Sequence, residues 1–112
     1  MVLIFFFLNH FNIQNDKSHS YFVRGISLDS LFSLLKIENI DVLKMDIEGE
    51  EYAVLPSIKE SIFKKIGQLV IEFHHHCIEN ISYNATLNCV KLMKNYGFRE
   101  YSDDKINYLF FR

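Results

Sequence analysis

At 112 residues, with 49% hydrophobic and 23% charged residues and a single proline, the chain is sized for one domain. It is too apolar for a disordered tail and too poor in glycine and proline for a collagen-like repeat. A formal net charge of -2, with Lys and Arg scattered, gives no overall pull toward nucleic acid, and no nucleic-acid partner is expected.

The opening MVLIFFFLNHFN holds seven apolar residues from Val2 to Leu8. A membrane span needs about 20, and a signal peptide needs a basic start and a small-residue cleavage site. The run therefore predicts a buried strand and no transmembrane span. A cytoplasmic location is expected, with a secretory route left open by the apolar start. Next, SYFVRGIS alternates as a strand does, with Tyr21 and Val23 on one face and Phe22 and Ile26 on the other. SLDSLFSLLK then places Leu28, Leu31, Leu34 and Leu35 at helical spacing behind an N-cap at Ser27.

IDVLKMDI predicts a strand with Val42, Lys44 and Asp46 on one face and Leu43, Met45 and Ile47 on the other. Gly49 should open a short helix from Glu50 to Leu55, ended by Pro56. Ser57 and Glu60 then read as a capping box for a helix through Lys65, with Gly67 as its C-terminal glycine. QLVIEFH predicts a strand, apolar enough to be covered on both faces. Ala85, Cys89, Leu92, Met93 and Tyr96 share one side of a helix that should stop at Gly97. FREYSDDKINYLFFR reads as an antiparallel hairpin around S-D-D-K. Strand and helix thus alternate, predicting an α/β fold whose sheet is mostly parallel, with helices on its faces and a C-terminal antiparallel hairpin.

Ligands of such sheets sit at the carboxyl ends of the strands, where loops and helix N-termini converge. Asp46 and Glu48 lie at one such end, Glu72 and His74 at another. If the two strands are neighbours in similar register, Lys44 lies beside Glu72 and Asp46 beside His74, and the Lys44–Glu72 pair neutralises itself within the sheet. The bland alternative is that Asp46 and Glu48 only charge-match the helix that follows. The triplet His74, His75 and His76 suggests a metal cluster, but neighbours in an extended segment point to opposite faces and cannot easily share one ion, so no metal is expected. Cys77 and Cys89 form no C-x-x-C pair and suggest reduced core thiols.

The run IDVLKMDIEGEEYAVL resembles the central signature of the FkbM-type methyltransferases, with Asp41, Lys44, Asp46, Glu48, Gly49 and Glu51 matching in order. ISLDSLF, with Ser27, Leu28 and Asp29, resembles the family's element upstream, QLVIEFH its next strand with Glu72 and His74, and YGF with the hairpin its antiparallel close; the likeness covers about residues 20–112. The resemblance implies a Rossmann-like sheet and O-methylation of a small-molecule or glycan hydroxyl with S-adenosylmethionine as cofactor. Asp46 and His74 would be catalytic, Glu48 would orient the acceptor, and Lys44 with Glu72 would fix the strand tips. It also implies a glycine-rich loop for the cofactor after the first strand, yet Gly25, Gly49, Gly67 and Gly97 contain no G-x-G pair. Residues 1–112 are therefore expected to be a single truncated methyltransferase-like domain, the carboxyl half of the fold.

In that half the strand from Asp41 would have an open edge, covered either by Val2–Leu8 or by self-association of two chains. The alternative from another class is a non-catalytic remnant or interaction subunit. A metal-dependent hydrolase using Asp46, Glu48, Glu72 and His74 has no matching ligand spacing behind it.

Overall fold

The computed structural model describes the backbone of residues 2–6 and residues 25–112 in full. The strand expected over Tyr21–Ile26 falls mostly outside the described residues. The elements are β1 (Val2–Phe6), α1 (Leu28–Leu34), β2 (Ile40–Asp46), α2 (Glu51–Ser57), α3 (Glu60–Phe63), β3 (Ile66–Glu72), α4 (Tyr83–Asn95), β4 (Arg99–Tyr101) and β5 (Asn107–Phe111). They form a five-stranded sheet in the order β1-β2-β3-β5-β4. β1, β2 and β3 pair in parallel, and β5 pairs antiparallel with both β3 and β4. The sheet is thus mixed rather than mostly parallel. The physical reason is that the hairpin folds back so that β5 inserts between β3 and β4, adding as many antiparallel pairings as there are parallel ones.

β1 runs along β2 from Val2 opposite Val42 to Phe6 opposite Asp46. The edge expected to be open is therefore taken by the chain's own apolar start, and a second copy cannot pair there. Among the described residues, Leu43, Met45, Leu69, Ile71, Tyr108 and Phe110 are buried on one face of the sheet and share one core with Phe32, Leu55, Phe63 and Met93 of the helices, while Ile40 and Ile66, buried at the starts of β2 and β3, alternate onto the other face. Burying each such side chain stabilises by about 1.5–3 kcal/mol. The rest of that opposite face, with Val42, Lys44, Val70, Leu109 and Phe111, is half-buried.

Local signals decide several ends. Ser27 caps α1, its Oγ accepting the N–H of Ser30 at 3.1 Å. Gly97, at φ +88°, closes α4. Three local signals act differently from the sequence reading. Pro56 lies inside the last turn of α2 rather than after it; its missing N–H is tolerable because the helix ends one residue later. Ser57 does not cap α3 but donates back to the carbonyl of Val54 at 2.7 Å, and Lys59 takes the cap position without a side-chain bond. Gly67 lies in β3, where an added Cβ would come within 3.0 Å of the Asp41 carbonyl oxygen, so the glycine permits close strand approach instead of ending a helix.

Candidate functional site

β2 and β3 pair with Lys44 opposite Val70 and Met45 opposite Ile71. This register is two residues away from the one that would set Lys44 beside Glu72, and the expected Lys44–Glu72 pair is not made. A slip of two preserves the face of every side chain but changes its partner. Lys44 Nζ instead lies 3.9 Å from Asp46 Oδ2 on its own strand. His74 still reaches Asp46, because it follows the end of β3 and the chain turns there: the His74 carbonyl accepts the N–H groups of Cys77 at 3.2 Å and Ile78 at 3.1 Å. His74 Nε2 ends 3.6 Å from Asp46 Oδ1 and 3.6 Å from Glu48 Oε2.

The loop after β2 explains how these groups are held. Glu48 and Gly49 both adopt left-handed backbone, at φ 55° and 105°. A non-glycine residue there costs about 1–2 kcal/mol, and such strain persists where the surroundings demand it. The reversal brings the Ile47 and Gly49 N–H groups onto the carboxylate of Glu51, which accepts both at 3.0 Å. Glu51 is fully buried and its carboxylate also accepts a hydrogen bond from His74 Nδ1–H at 2.9 Å. With Nδ1 donating to Glu51, Nε2 is turned outward toward Asp46 and Glu48. Nε2 has no hydrogen-bond partner among the described residues: both carboxylates lie beyond the usual donor–acceptor range.

Glu51 is the organising residue that reasoning from sequence missed. It matched the family signature, but nothing in its position, first in a short helix, distinguished a buried acid from a solvated one. The histidine triplet is divided by the turn that follows β3 rather than by strand alternation. His75 Nδ1 bonds the buried Thr86 hydroxyl at 2.8 Å, and Thr86 in turn meets Tyr52 Oη at 3.0 Å, tying the loop to α4 and α2. His76 is exposed, its ring stacked near that of His74. Glu72 ends β3 half-buried, without joining the cluster. Asp46, Glu48 and His74 each offer a ligand atom, all within 4.8 Å of one another. Of the two thiols expected in the core, Cys89 is buried, which pushes its thiol up to about 11 and leaves it inert, whereas Cys77 is exposed.

A profile described as the Methyltransferase FkbM domain matches residues 7–100. The chain belongs to the FkbM methyltransferase family. Within that FkbM match lie every residue of the cluster and the loop that builds it. A human relative, "Probable methyltransferase-like protein 24", is 37% identical over 68 residues, covering 60% of this chain and 18% of its own length. The FkbM chain thus spans less than a fifth of the curated relative it matches. No solved structure matches it. No helix among the described residues is long and apolar enough to cross a membrane.

Proposed function

We propose that this chain forms the acceptor side of a Rossmann-like, S-adenosylmethionine-dependent O-methyltransferase acting on a hydroxyl of a small molecule or glycan. The supporting observation is the convergence of Asp46, Glu48 and His74 at the carboxyl ends of two adjacent parallel strands, where ligands of such sheets bind. A hydroxyl becomes a competent nucleophile by giving up its proton to a positioned group. His74, with Glu51 behind it, and Asp46 are the acceptors for that proton. Glu48, 46% exposed at the rim, is the side chain free to meet the incoming substrate. Lys44, beside Asp46, holds the strand tip through that contact rather than through Glu72.

S-adenosylmethionine supplies an electrophilic methyl group when bound. The described residues do not form its glycine cradle. A Cβ on Gly49 would run into Ile78, Gly67 is packed against the Asp41 carbonyl, and Gly97 ends a helix. Donor binding is accordingly assigned to elements other than these, and the domain over residues 1–112 to the carboxyl half of the fold. Methyl transfer to hydroxyl acceptors by the native polypeptide carrying these residues should fall about 10²-fold or more in Asp46→Asn, the usual scale for losing a proton-handling group. Unchanged turnover would remove the site from the reaction.

The glycine usage also favours a second reading, an interaction subunit with a methyltransferase fold. Calorimetry separates the two. Stoichiometric binding of S-adenosylmethionine by the native polypeptide carrying these residues supports catalysis, whereas its failure to bind supports the subunit.

A further inference from the structure

We infer that Asp46, Glu48 and His74 form a binding site for one divalent transition-metal ion, with Glu51 as the carboxylate that fixes the imidazole. The starting point is a mismatch of polarity. His74 is only 4% exposed, and its Nδ1 proton is committed to Glu51, a carboxylate that also accepts two backbone N–H groups. In the neutral ring the outward nitrogen is then an acceptor, facing two further acceptors. Were the ring doubly protonated, Nε2 would be a donor, but 3.6 Å to each carboxylate oxygen is too long for it to be used well. Polar groups held at such a spacing call for something between them.

A metal ion meets the geometry. Nitrogen and oxygen ligands stand about 2.0–2.2 Å from zinc-like ions, so two ligands of one ion lie about 3–4 Å apart. The two distances from Nε2 are within that range, and the donor set as a whole lies within 4.8 Å. A small rotation of the exposed Glu48 side chain closes the remainder. Lys44 does not already fill the role, since it approaches Oδ2 of Asp46 while Oδ1 faces His74. The remaining partner pattern is that of a metal-bound histidine: its other nitrogen donates to a carboxylate that sets the tautomer and ring orientation. Three protein ligands at an open rim leave positions for water or a substrate oxygen, as in catalytic rather than structural sites.

The mixed donor set selects the ion. One imidazole with two carboxylates suits Mn²⁺, Fe²⁺ and Zn²⁺, whereas Mg²⁺ and Ca²⁺ prefer oxygen alone. An ion here would lower the pKa of a hydroxyl bound to it, giving the same three residues a second means of activating an acceptor. Metal binding does not rest on methyl transfer, and the two fail separately. An inactive protein that takes up the ion contradicts only the activity, and an active one that takes up none contradicts only the metal.

The test is uptake of Mn²⁺ by the untagged chain, read from the loss of the free-ion signal in electron paramagnetic resonance. Mn²⁺ is used because the exposed Cys77 and His76 would compete for zinc. One ion should bind per chain, and equimolar Mg²⁺ should not displace it. Asp46→Asn and Glu48→Gln should each weaken uptake at least tenfold, and Glu51→Gln by about 10–100-fold, the range for losing a carboxylate behind a ligating histidine. Glu60→Gln, on α3 and paired with Lys64, should bind as the wild type does. Glu48 is exposed enough for its variant to fold, which far-UV circular dichroism checks. Uptake no greater than that of an Asp46→Asn/Glu48→Gln double variant, or full displacement by equimolar Mg²⁺, would overturn the inference.

Discussion

Replacing Glu51 should damage the protein far more than replacing any of its acidic neighbours. Its carboxylate accepts from Ile47 N and His74 Nδ1 through one oxygen and from Gly49 N through the other, all at 2.9–3.0 Å and out of contact with solvent. Leaving a buried donor unsatisfied costs about 1–3 kcal/mol. Glu51→Ala strands three of them, and allowing for partial rehydration at the rim gives a loss of about 3–6 kcal/mol. Since a domain of this kind has a total stability of about 5–15 kcal/mol, that variant should be close to unfolding. Glu51→Gln is the more readable probe. Its amide can keep one oxygen on Ile47 N and His74 but then turns an N–H₂ toward Gly49 N–H, for a loss of about 1–3 kcal/mol. Urea titration followed by far-UV circular dichroism gives the value, provided the slope of the transition is unchanged. Glu50→Gln, at an exposed position with no capping bond, is the control and should be neutral. Equal stability of the two glutamine variants would refute the assignment of Glu51 as the buried anchor.

Gly49→Ala should cost about 1–3 kcal/mol in the same titration, because an L-residue is strained at φ 105° and its Cβ meets Ile78; a neutral result would mean that the loop has another conformation. Asp104 organises the hairpin turn: its carboxyl is held down to about 2 by hydrogen bonds from the Asn107 side chain and from the backbone N–H groups of Ile106 and Asn107. A carboxylate whose folded pKa is depressed contributes stability that is present above its unfolded value near 3.9 and lost as pH falls through the folded one. The wild type should therefore be more stable than Asp104→Ala at pH 6, with the difference shrinking between about pH 4 and pH 2; a difference independent of pH would show that the ionised form is not what the turn uses. Of the two thiols, exposed Cys77 should react with a disulfide reagent in the native protein and buried Cys89 only on unfolding. Equal labelling rates would contradict the placement of α4 over the core.

Much of this architecture was legible because it depends on neighbours in sequence. Ser27 and Gly97 act within one helical turn, and the apolar alternation of β2 and β3 assigns their faces whatever the pairing. What the sequence leaves open depends on distances between elements. Registers that differ by two residues put the same side chains on the same faces, so Lys44 could be expected beside Glu72 when it lies opposite Val70. Ser57 and Gly67 fit local rules for a helix start and a helix end, but the chain uses one to close α2 and the other to bring β3 close to Asp41. The site followed the same division. Strand-end logic brought Asp46, Glu48 and His74 together, while the burial of Glu51 arises from two left-handed residues that no period in the sequence announces.

The direction in which His74 points decides what the site can do. Long-range ¹H–¹⁵N spectra of the imidazole at pH 9 read its tautomer directly. The structure predicts the proton on Nδ1, held by Glu51, with Nε2 free toward Asp46 and Glu48, and predicts that this preference is lost in Glu51→Gln. A proton found on Nε2 in the wild type, unaffected by replacing Glu51, would contradict it.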